Sequence, residues 1–298
     1  MEVAIADSVT EYLDVVRELL IRGGPDSSDY EYLKNVPKEM STIPLDMELK
    51  VYDLLQPLLT VDSMIGFAFR KPHGYAGDYE IIDRIYTQRK SQNKDLLKWD
   101  LFYHELEAPK AVRNRKKYFK DLVSLTEKNN KDALILNLGS GPCSDLYEYL
   151  RSSPRSEIKF DCLDMDESAI EFGKVVCDNY IDRITFKNKN AFRYKPDYQY
   201  DLIWSAGLFD YFSDKLFIRL LNRMYALVKD GGELVIGNFS TDNPSRGVME
   251  VFTQWYLHHR NKKDLIDLAL KAGVAKSLIS VSQEEVGVNL FLHLKKAK

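Results

Sequence analysis

Ala133-Leu-Ile-Leu-Asn-Leu-Gly-Ser-Gly-Pro-Cys-Ser144 is the stretch on which the fold turns. Its first six residues form a short apolar run broken only by Asn137, which suits a strand buried on both faces. Gly139-Ser-Gly141 then supplies the backbone freedom for a tight turn, and Ser144 to Arg151 reads as a helix. Strand, glycine turn and helix in that order predict a βα unit whose turn approaches a ligand closely and offers N–H groups to an anion. A plain tight connection would use the same residues, so neighbouring segments have to discriminate.

Outward from this unit the same rhythm continues. Ile158 to Leu163 is strand-like, Asp166 is placed to cap a helix, and Ala169, Ile170, Gly173, Val176 and Cys177 share one helical face. Ile184 to Lys187 makes a third strand and Tyr200 to Ala206 a fourth, followed by a helix through Leu216, Leu220 and Leu227. Asp230-Gly-Gly232 is expected to end that helix before a fifth strand, Glu233 to Asn238. Helices over Met249 to His258 and Asp264 to Ala272 and strands near Leu278 to Val281 and Val288 to Leu294 close the chain, the strands as an antiparallel hairpin. Alternation of this kind predicts an α/β protein with a mainly parallel sheet covered by helices.

The region before Ala133 has no strand rhythm. Amphipathic segments around Thr10 to Ile21, Asp46 to Leu59, Asp78 to Tyr86 and Ala108 to Leu125 predict a helical region, separated by breaks at Gly23-Gly-Pro25 and Lys71 to Gly77. The polar joint Glu127 to Lys131 places the boundary so that residues 1–128 form a helical region and residues 129–298 the sheet domain.

Bulk properties exclude several classes. With 298 residues, 45% hydrophobic and 29% charged, the chain can bury a full core in water. Met1 to Leu20 carries Glu2, Asp7, Glu11, Asp14 and Glu18, unlike a signal peptide, and uncharged stretches such as Ala133 to Ser144 are too short to span a bilayer. Cys143, Cys162 and Cys177 show no disulfide or metal-ligand spacing, and the five histidines show none either. A cytoplasmic protein without a metal is expected. The net charge of −3 argues against a general polyanion binder.

Asp164 ends the second strand about twenty residues after the glycine turn, where a carboxylate accepts hydrogen bonds from both ribose hydroxyls. Asn190-Ala191 follows the third strand, where an amide oxygen suits an adenine amino group, and Ser205-Ala-Gly207 ends the fourth with small residues. A dinucleotide fingerprint would place a third glycine near Cys143 and Ser144, and none is there.

As a set these segments resemble the class I S-adenosylmethionine (SAM)-dependent methyltransferases over roughly Ala133 to Lys298. The resemblance implies a Rossmann-like seven-stranded sheet with the last strand antiparallel. It implies Gly139, Ser140 and Gly141 around the methionine part of SAM, Asp164 with Met165 at the ribose, Asn190 and Ala191 near the adenine, and Ser205, Ala206 and Gly207 beside the reacting centre. S-adenosylhomocysteine would be the product. The family's usual acids in the first motif and after the third strand are Asn137 and Asn190 here, departures that keep an acceptor oxygen and remove a charge.

Lys71-Pro-His-Gly-Tyr-Ala-Gly-Asp-Tyr79, Ala111-Val-Arg-Asn-Arg115 and Gln254-Trp-Tyr-Leu-His-His-Arg260 resemble a bacterial group of methyltransferases of the 3-hydroxypalmitic acid methyl ester biosynthesis type. That resemblance implies a helical lid over the pocket and methyl transfer to a small acid or hydroxylated lipid-like molecule. Tyr75 and Asp78 are candidate lid residues, and Arg113 or Arg115 could turn inward to pair with a substrate carboxylate, a role suited to a planar bidentate donor. Alternatively, Asp78 simply caps a helix, and the basic cluster Lys110 to Lys120 forms a solvated face. Tyr75, His73, Asp210 and Tyr211 are the candidates for positioning or deprotonating a nucleophile. An RNA or DNA methyltransferase and a SAM-binding regulatory protein without catalysis are the rival functions. The basic cluster is the only compositional support for the former, and the two asparagines allow the latter.

Overall fold

The computed structural model describes residues 2–37, 40, 43 and 45–298. Its chain groups into two compact units, Met1–Lys110 with Asn243–Tyr256, and Ala111–Asp242 with Leu257–Lys298. The sequence placed a boundary at 128/129, whereas the grouping falls within one uninterrupted helix, Glu107–Asn129. The segment after the fifth strand also joins the N-terminal helices, a grouping that local composition does not signal.

The first unit is helical: α1 (Glu2–Ile21), α2 (Tyr30–Lys34), α3 (Leu45–Leu55), α4 (Met64–Arg70), α5 (Tyr79–Tyr86) and α6 (Lys94–Glu105), followed by the start of α7 (Glu107–Asn129). The predicted helices are present, and α2, α4 and α6 add to them. Helix α4 is short and nearly all apolar, so its burial rather than its periodicity makes it helical. Ser63 Oγ accepts from Gly66 N at 2.8 Å, and Asp100 on α6 accepts from Met64 N at 2.7 Å, so its first turn is capped twice. Gly66 is required there, because a Cβ would lie 2.1 Å from the Thr60 carbonyl oxygen.

The second unit holds a seven-stranded sheet in the order β3-β2-β1-β4-β5-β7-β6. In chain order it contains β1 (Leu134–Leu138), α8 (Ser144–Ser152), β2 (Lys159–Asp164), α9 (Glu167–Val176), β3 (Ile184–Asn188), β4 (Tyr200–Ser205), α10 (Asp214–Ala226) and β5 (Val228–Phe239). Helix α11 (Arg246–Thr253) belongs to the helical unit, after which α12 (Lys262–Lys271), β6 (Ile279–Gln283) and β7 (Asn289–Lys295) complete the sheet. Strands β1 to β5 pair parallel with their neighbours, and β7 runs antiparallel between β5 and β6. Alternate residues feed two apolar layers, Leu136, Leu138, Ile203 and Leu234 against α10 and α12, and Ile135, Trp204, Val235 and Phe291 against α7 and α8.

Two expectations need correction. Helix α10 ends at Ala226, and Asp230-Gly-Gly232 lies inside β5, where the pairing skips from Val228 to Glu233. Gly231 has φ +80°, and a Cβ on Gly232 would lie 2.7 Å from the Asp201 carbonyl oxygen, so the glycines serve a bulge. Likewise α11 stops at Thr253, because Gln254 takes a left-handed conformation at φ 47°, and the residues up to His258 are not helical.

Order reversal between β1 and β4 creates the topological switch point of the sheet, where open α/β folds bind ligands outside the carboxyl ends of their strands. The glycine turn, Asp164 and Ser205 all stand at such ends.

Candidate cofactor and acceptor site

The glycine turn does not present free N–H groups as its sequence suggested. Gly139 N and Ser140 N both donate to the Leu163 carbonyl oxygen, at 2.8 and 3.2 Å, and Gly141 N donates to Asp164 Oδ2 at 2.9 Å. Positive φ at Gly139 (66°) and Gly141 (53°) folds the turn back over the end of β2, and this spends the donors within the protein. What the turn offers a ligand is close approach: a Cβ at Gly141 would meet nothing within 4 Å.

Cys143 explains the missing third glycine. It has φ 56°, a left-handed conformation that costs a non-glycine residue about 1–2 kcal/mol. Close packing is retained from the other side by Gly173 of α9, where a Cβ would lie 3.2 Å from Cys143 Sγ.

Asp164 is held at both oxygens, Oδ2 by Gly141 N and Oδ1 by Asp166 N at 3.0 Å. Burial pushes its carboxyl above the usual range, opposed by these N–H groups. The Met165 N–H is a third donor to this carboxylate, which, with about four lone-pair sites, keeps acceptor capacity for a ribose hydroxyl. Met165 beside it is 70% exposed, and Asn190 Nδ2 lies 3.5 Å from its sulfur. Asn190 Oδ1 accepts from Phe192 N at 2.8 Å, so the residue caps the 3-10 turn Ala191–Arg193. An exposed thioether beside an amide offers a purine an apolar contact and a polar one.

Three buried polar atoms at this corner have no hydrogen-bond partner among the described residues: Asn137 Nδ2, Ser140 Oγ and Ser205 Oγ. Leaving buried polar groups unpaired costs about 1–3 kcal/mol each, so such a group in a native fold signals a ligand or water. Two of the three atoms are donors or acceptors as required, and Asn137 Nδ2 is a donor suited to the methionine carboxylate of SAM. The residues therefore fit that cofactor.

Arg115, carried by α7, is only 7% exposed. Its guanidinium lies against Gly207 at the end of β4, where a Cβ would come within 2.8 Å of Nη1. The carboxyls of Asp145 and Asp210 both feel its positive charge. Arg113 lies part-buried on the same helix, and Ala206 and Gly207 are part-buried beside Ser205. Asp210 accepts from Phe239 N at 2.6 Å, and its own carbonyl accepts from His258 N at 2.7 Å. Burial pushes its carboxyl up to about 6, against the pull of the Phe239 N–H and of Arg115 and Arg260. Tyr211 next to it is 36% exposed.

Arg260 completes the brace and carries no individual role in the sequence analysis. Its Nη1 donates to Asn238 Oδ1 at 2.8 Å, and its Nη2 to the Phe212 carbonyl at 2.6 Å and to Asp214 Oδ1 at 2.9 Å. It pins the loop after β4 to the end of β5. A lone arginine next to two histidines gives no sequence signal of burial, which comes from acceptors 22 to 48 residues away.

The motif in the helical unit is ordered by its own contacts. Gly74 and Gly77 have φ of 87° and 70°, and Asp78 Oδ1 accepts from Glu80 N and Ile81 N, both at 2.9 Å, as the cap of α5. His73 Nε2 lies 3.0 Å from Glu80 Oε2, and Tyr75 is 40% exposed. The capping role of Asp78 is thus the one that its contacts display.

Comparison with known proteins identifies the sheet unit. A methyltransferase-domain family model matches residues 135–232, which run from β1 through the bulge of β5. The sheet unit is a class I SAM-dependent methyltransferase domain. SAM is the cofactor of such a methyltransferase. Malonyl-[acyl-carrier protein] O-methyltransferase 1 of Ilyobacter polytropus is 29% identical over 111 residues, which is 37% of this chain and 40% of that relative. The chain thus matches less than half of that relative's length. In structure, a possible exported protein of Bordetella parapertussis superposes with a TM-score of 0.67 at 17% identity, over 99% of this chain and 97% of the other. The SAM-dependent methyltransferase SibL in its apo form gives 0.52 at 12% identity, over 89% and 73%. These two likenesses concern the fold of the methyltransferase. No helix among the described residues is long and apolar enough to cross a membrane.

Proposed function

We propose that this chain is an enzyme that transfers a methyl group from SAM to an oxygen of a small acidic molecule, with the carboxylate of a hydroxy fatty acid or a similar acid as acceptor. The observation that carries the proposal is Arg115, a buried guanidinium set against Gly207 at the carboxyl end of β4. A planar cation with several donors suits a carboxylate, and little water competes with it there. Bound at the β1–β4 corner, SAM supplies an electrophilic methyl that a nucleophile takes by in-line displacement.

The chain's residues then have separable tasks. Asp164 and Asn137 orient the cofactor, and Ser205 to Gly207 leave space for the acceptor. Arg115 holds the acceptor's acid group, and Arg113 is the second cation on that helix. An ionised carboxylate needs no base, so alignment and exclusion of water suffice. For a hydroxyl acceptor the base would be Asp210, whose carboxyl is pushed up to about 6 by burial, with the neighbouring Tyr211 as a positioning group. The name of the Ilyobacter relative, a malonyl-[acyl-carrier protein] O-methyltransferase, supports an acidic acyl group as acceptor. We assign acceptor selection to the helical unit. A cytoplasmic site of action belongs to the same proposal and is supported by three buried thiols.

Ion pairing weighs against the nucleic-acid rival. Lys116 and Lys120 pair with Glu148, Lys117 with Glu285 at 2.9 Å, and Lys110 with Glu105 at 2.8 Å, so most of the basic cluster is already neutralised. The test is incubation with methyl-labelled SAM and a panel of 3-hydroxy fatty acids, other carboxylates, malonyl thioesters and RNA. Label in an alkali-labile ester is the expected result. Label in RNA overturns the acceptor class, and SAM binding without label in any pool favours the regulatory rival.

A further inference from the structure

A second constellation lies on the α7 face of the sheet, built from residues of β5, β6, β7 and α7. Glu233 Oε1 is 2.9 Å from His293 Nδ1, and His293 Nε2 is 3.0 Å from Ser282 Oγ. Acid, imidazole and hydroxyl follow one another in the order and at the spacing of a serine nucleophile with its base and orienting acid. A fourth group closes the set: Tyr118 OH lies 2.5 Å from Ser282 Oγ and 2.7 Å from His293 Nε2. None of these residues takes part in the cofactor corner. His293 faces Val235 near the start of the regular part of β5, while Asn137 and Ser205 stand toward the carboxyl ends of their strands.

Sheet geometry sets this arrangement. Val235 and Ser280 pair with His293, and Phe291 pairs with Ser282, so Ser282 is placed diagonally across from the histidine on the same face. Tyr118 is fixed by stacking on Phe291, with ring centroids 3.9 Å apart. Glu233 and His293 side chains are 19% and 12% exposed, and Ser282 and Tyr118 are part-buried, so the groups are partly desolvated yet reachable. Strand β6 ends the sheet order, which leaves one flank of the serine's strand without a neighbouring strand.

We infer that Ser282, His293, Glu233 and Tyr118 form a second, hydrolytic site for small carboxylic esters. Ser282 Oγ attacks the acyl carbon, and its proton passes to His293 Nε2. Glu233 holds the proton on Nδ1 and offsets the imidazolium charge. Tyr118 OH donates to the carbonyl oxygen as that oxygen gains negative charge, the task of an oxyanion donor. Collapse breaks the acyl–oxygen bond, and the leaving alcohol takes the proton from Nε2. Water then attacks the acyl-serine with the same base, releasing a carboxylic acid and restoring the serine hydroxyl.

The test treats the full chain with p-nitrophenyl acetate and, separately, with a fluorophosphonate probe, and maps adducts by peptide mass. An adduct on the peptide containing Ser282, with a burst of p-nitrophenolate, is expected. Ser282→Ala should abolish both, and His293→Gln should slow labelling by about 100-fold or more. Thermal unfolding of each variant establishes that it is folded, and the mapping on unaltered protein needs no variant. Absence of an adduct on the unaltered protein, an adduct on another residue, or unchanged labelling in folded His293→Gln would overturn the assignment.

Discussion

Asp164 Oδ2 accepts the Gly141 N–H at 2.9 Å, so the acid at the end of β2 and the turn after β1 form one hydrogen-bonded unit. In the proposed site the glycine turn would act on the cofactor through this acid as well as through its own backbone. Removing the acid should cost a charge-assisted hydrogen bond to ribose and release the turn as well. Asp164→Ala should weaken SAM binding by roughly tenfold to a hundredfold, from about 1.5–3 kcal/mol for such bonds. Titration calorimetry measures it, and unchanged affinity would remove Asp164 from the ribose position.

Arg115 and Gly207 make a second linked pair. Gly207→Ala inserts a methyl 2.8 Å from Arg115 Nη1 and should displace a guanidinium that has little room to move. Both Gly207→Ala and Arg115→Ala should raise the acceptor KM by about tenfold or more, while SAM affinity changes little. Arg115→Lys should recover only part of the loss, since it lacks the planar fork. A fall in SAM affinity with an unchanged acceptor KM would reassign Arg115 to the cofactor carboxylate.

Asp210 makes stability depend on pH in a definite direction. Its folded value of about 6 lies above the ordinary aspartate value, so the fold favours the protonated form. The contribution is full below the unfolded value near 4, falls as pH rises to about 6, and is absent above it. Relative to Asp210→Asn, the unaltered protein should lose about 2 kcal/mol between pH 4 and pH 7.5. Urea unfolding of both proteins at four pH values checks this. A constant difference would mean that Arg115 and Arg260 fully offset the burial.

Cys143, Cys162 and Cys177 are buried, and burial pushes the Cys162 and Cys177 thiols well up. Thiolate is the reactive form, so alkylation by iodoacetamide should be slow in the native protein and reach all three cysteines only on unfolding. Intact mass against time measures it. SAM bound at the proposed site should slow the reaction further, because Cys143 directly follows the glycine turn. Rapid native labelling would show that this region opens readily.

Much of the fold was legible because local chemistry and tertiary structure agree there. Ala133 to Ser144 reads as strand, turn and helix since an apolar run, positive-φ glycines and an amphipathic face each point to the same element. Asp166 caps its helix through Ser168 N at 2.9 Å for a reason visible within three residues. The bulge at Gly231 was not legible, because glycines ending a helix and glycines bulging a strand look alike until the pairing with β4 is known. Helix α6 carries Asp100, whose burial depends on donors at Met64 and Ser91.

At the site the division is similar. Sequence by itself determined the order of strands and helices, the glycine turn after β1 and the acid after β2, since each rests on residue type and short spacing. Only the tertiary structure decided what the turn's N–H groups do. They are spent on Leu163 and Asp164, because β2 lies beside β1 and its end is within reach of the folded-back loop. It also decided that Arg115 is buried against Gly207 while Lys116, Lys117 and Lys120 pair with distant acids. Burial and charge pairing depend on which elements pack together, and no local pattern carries that information.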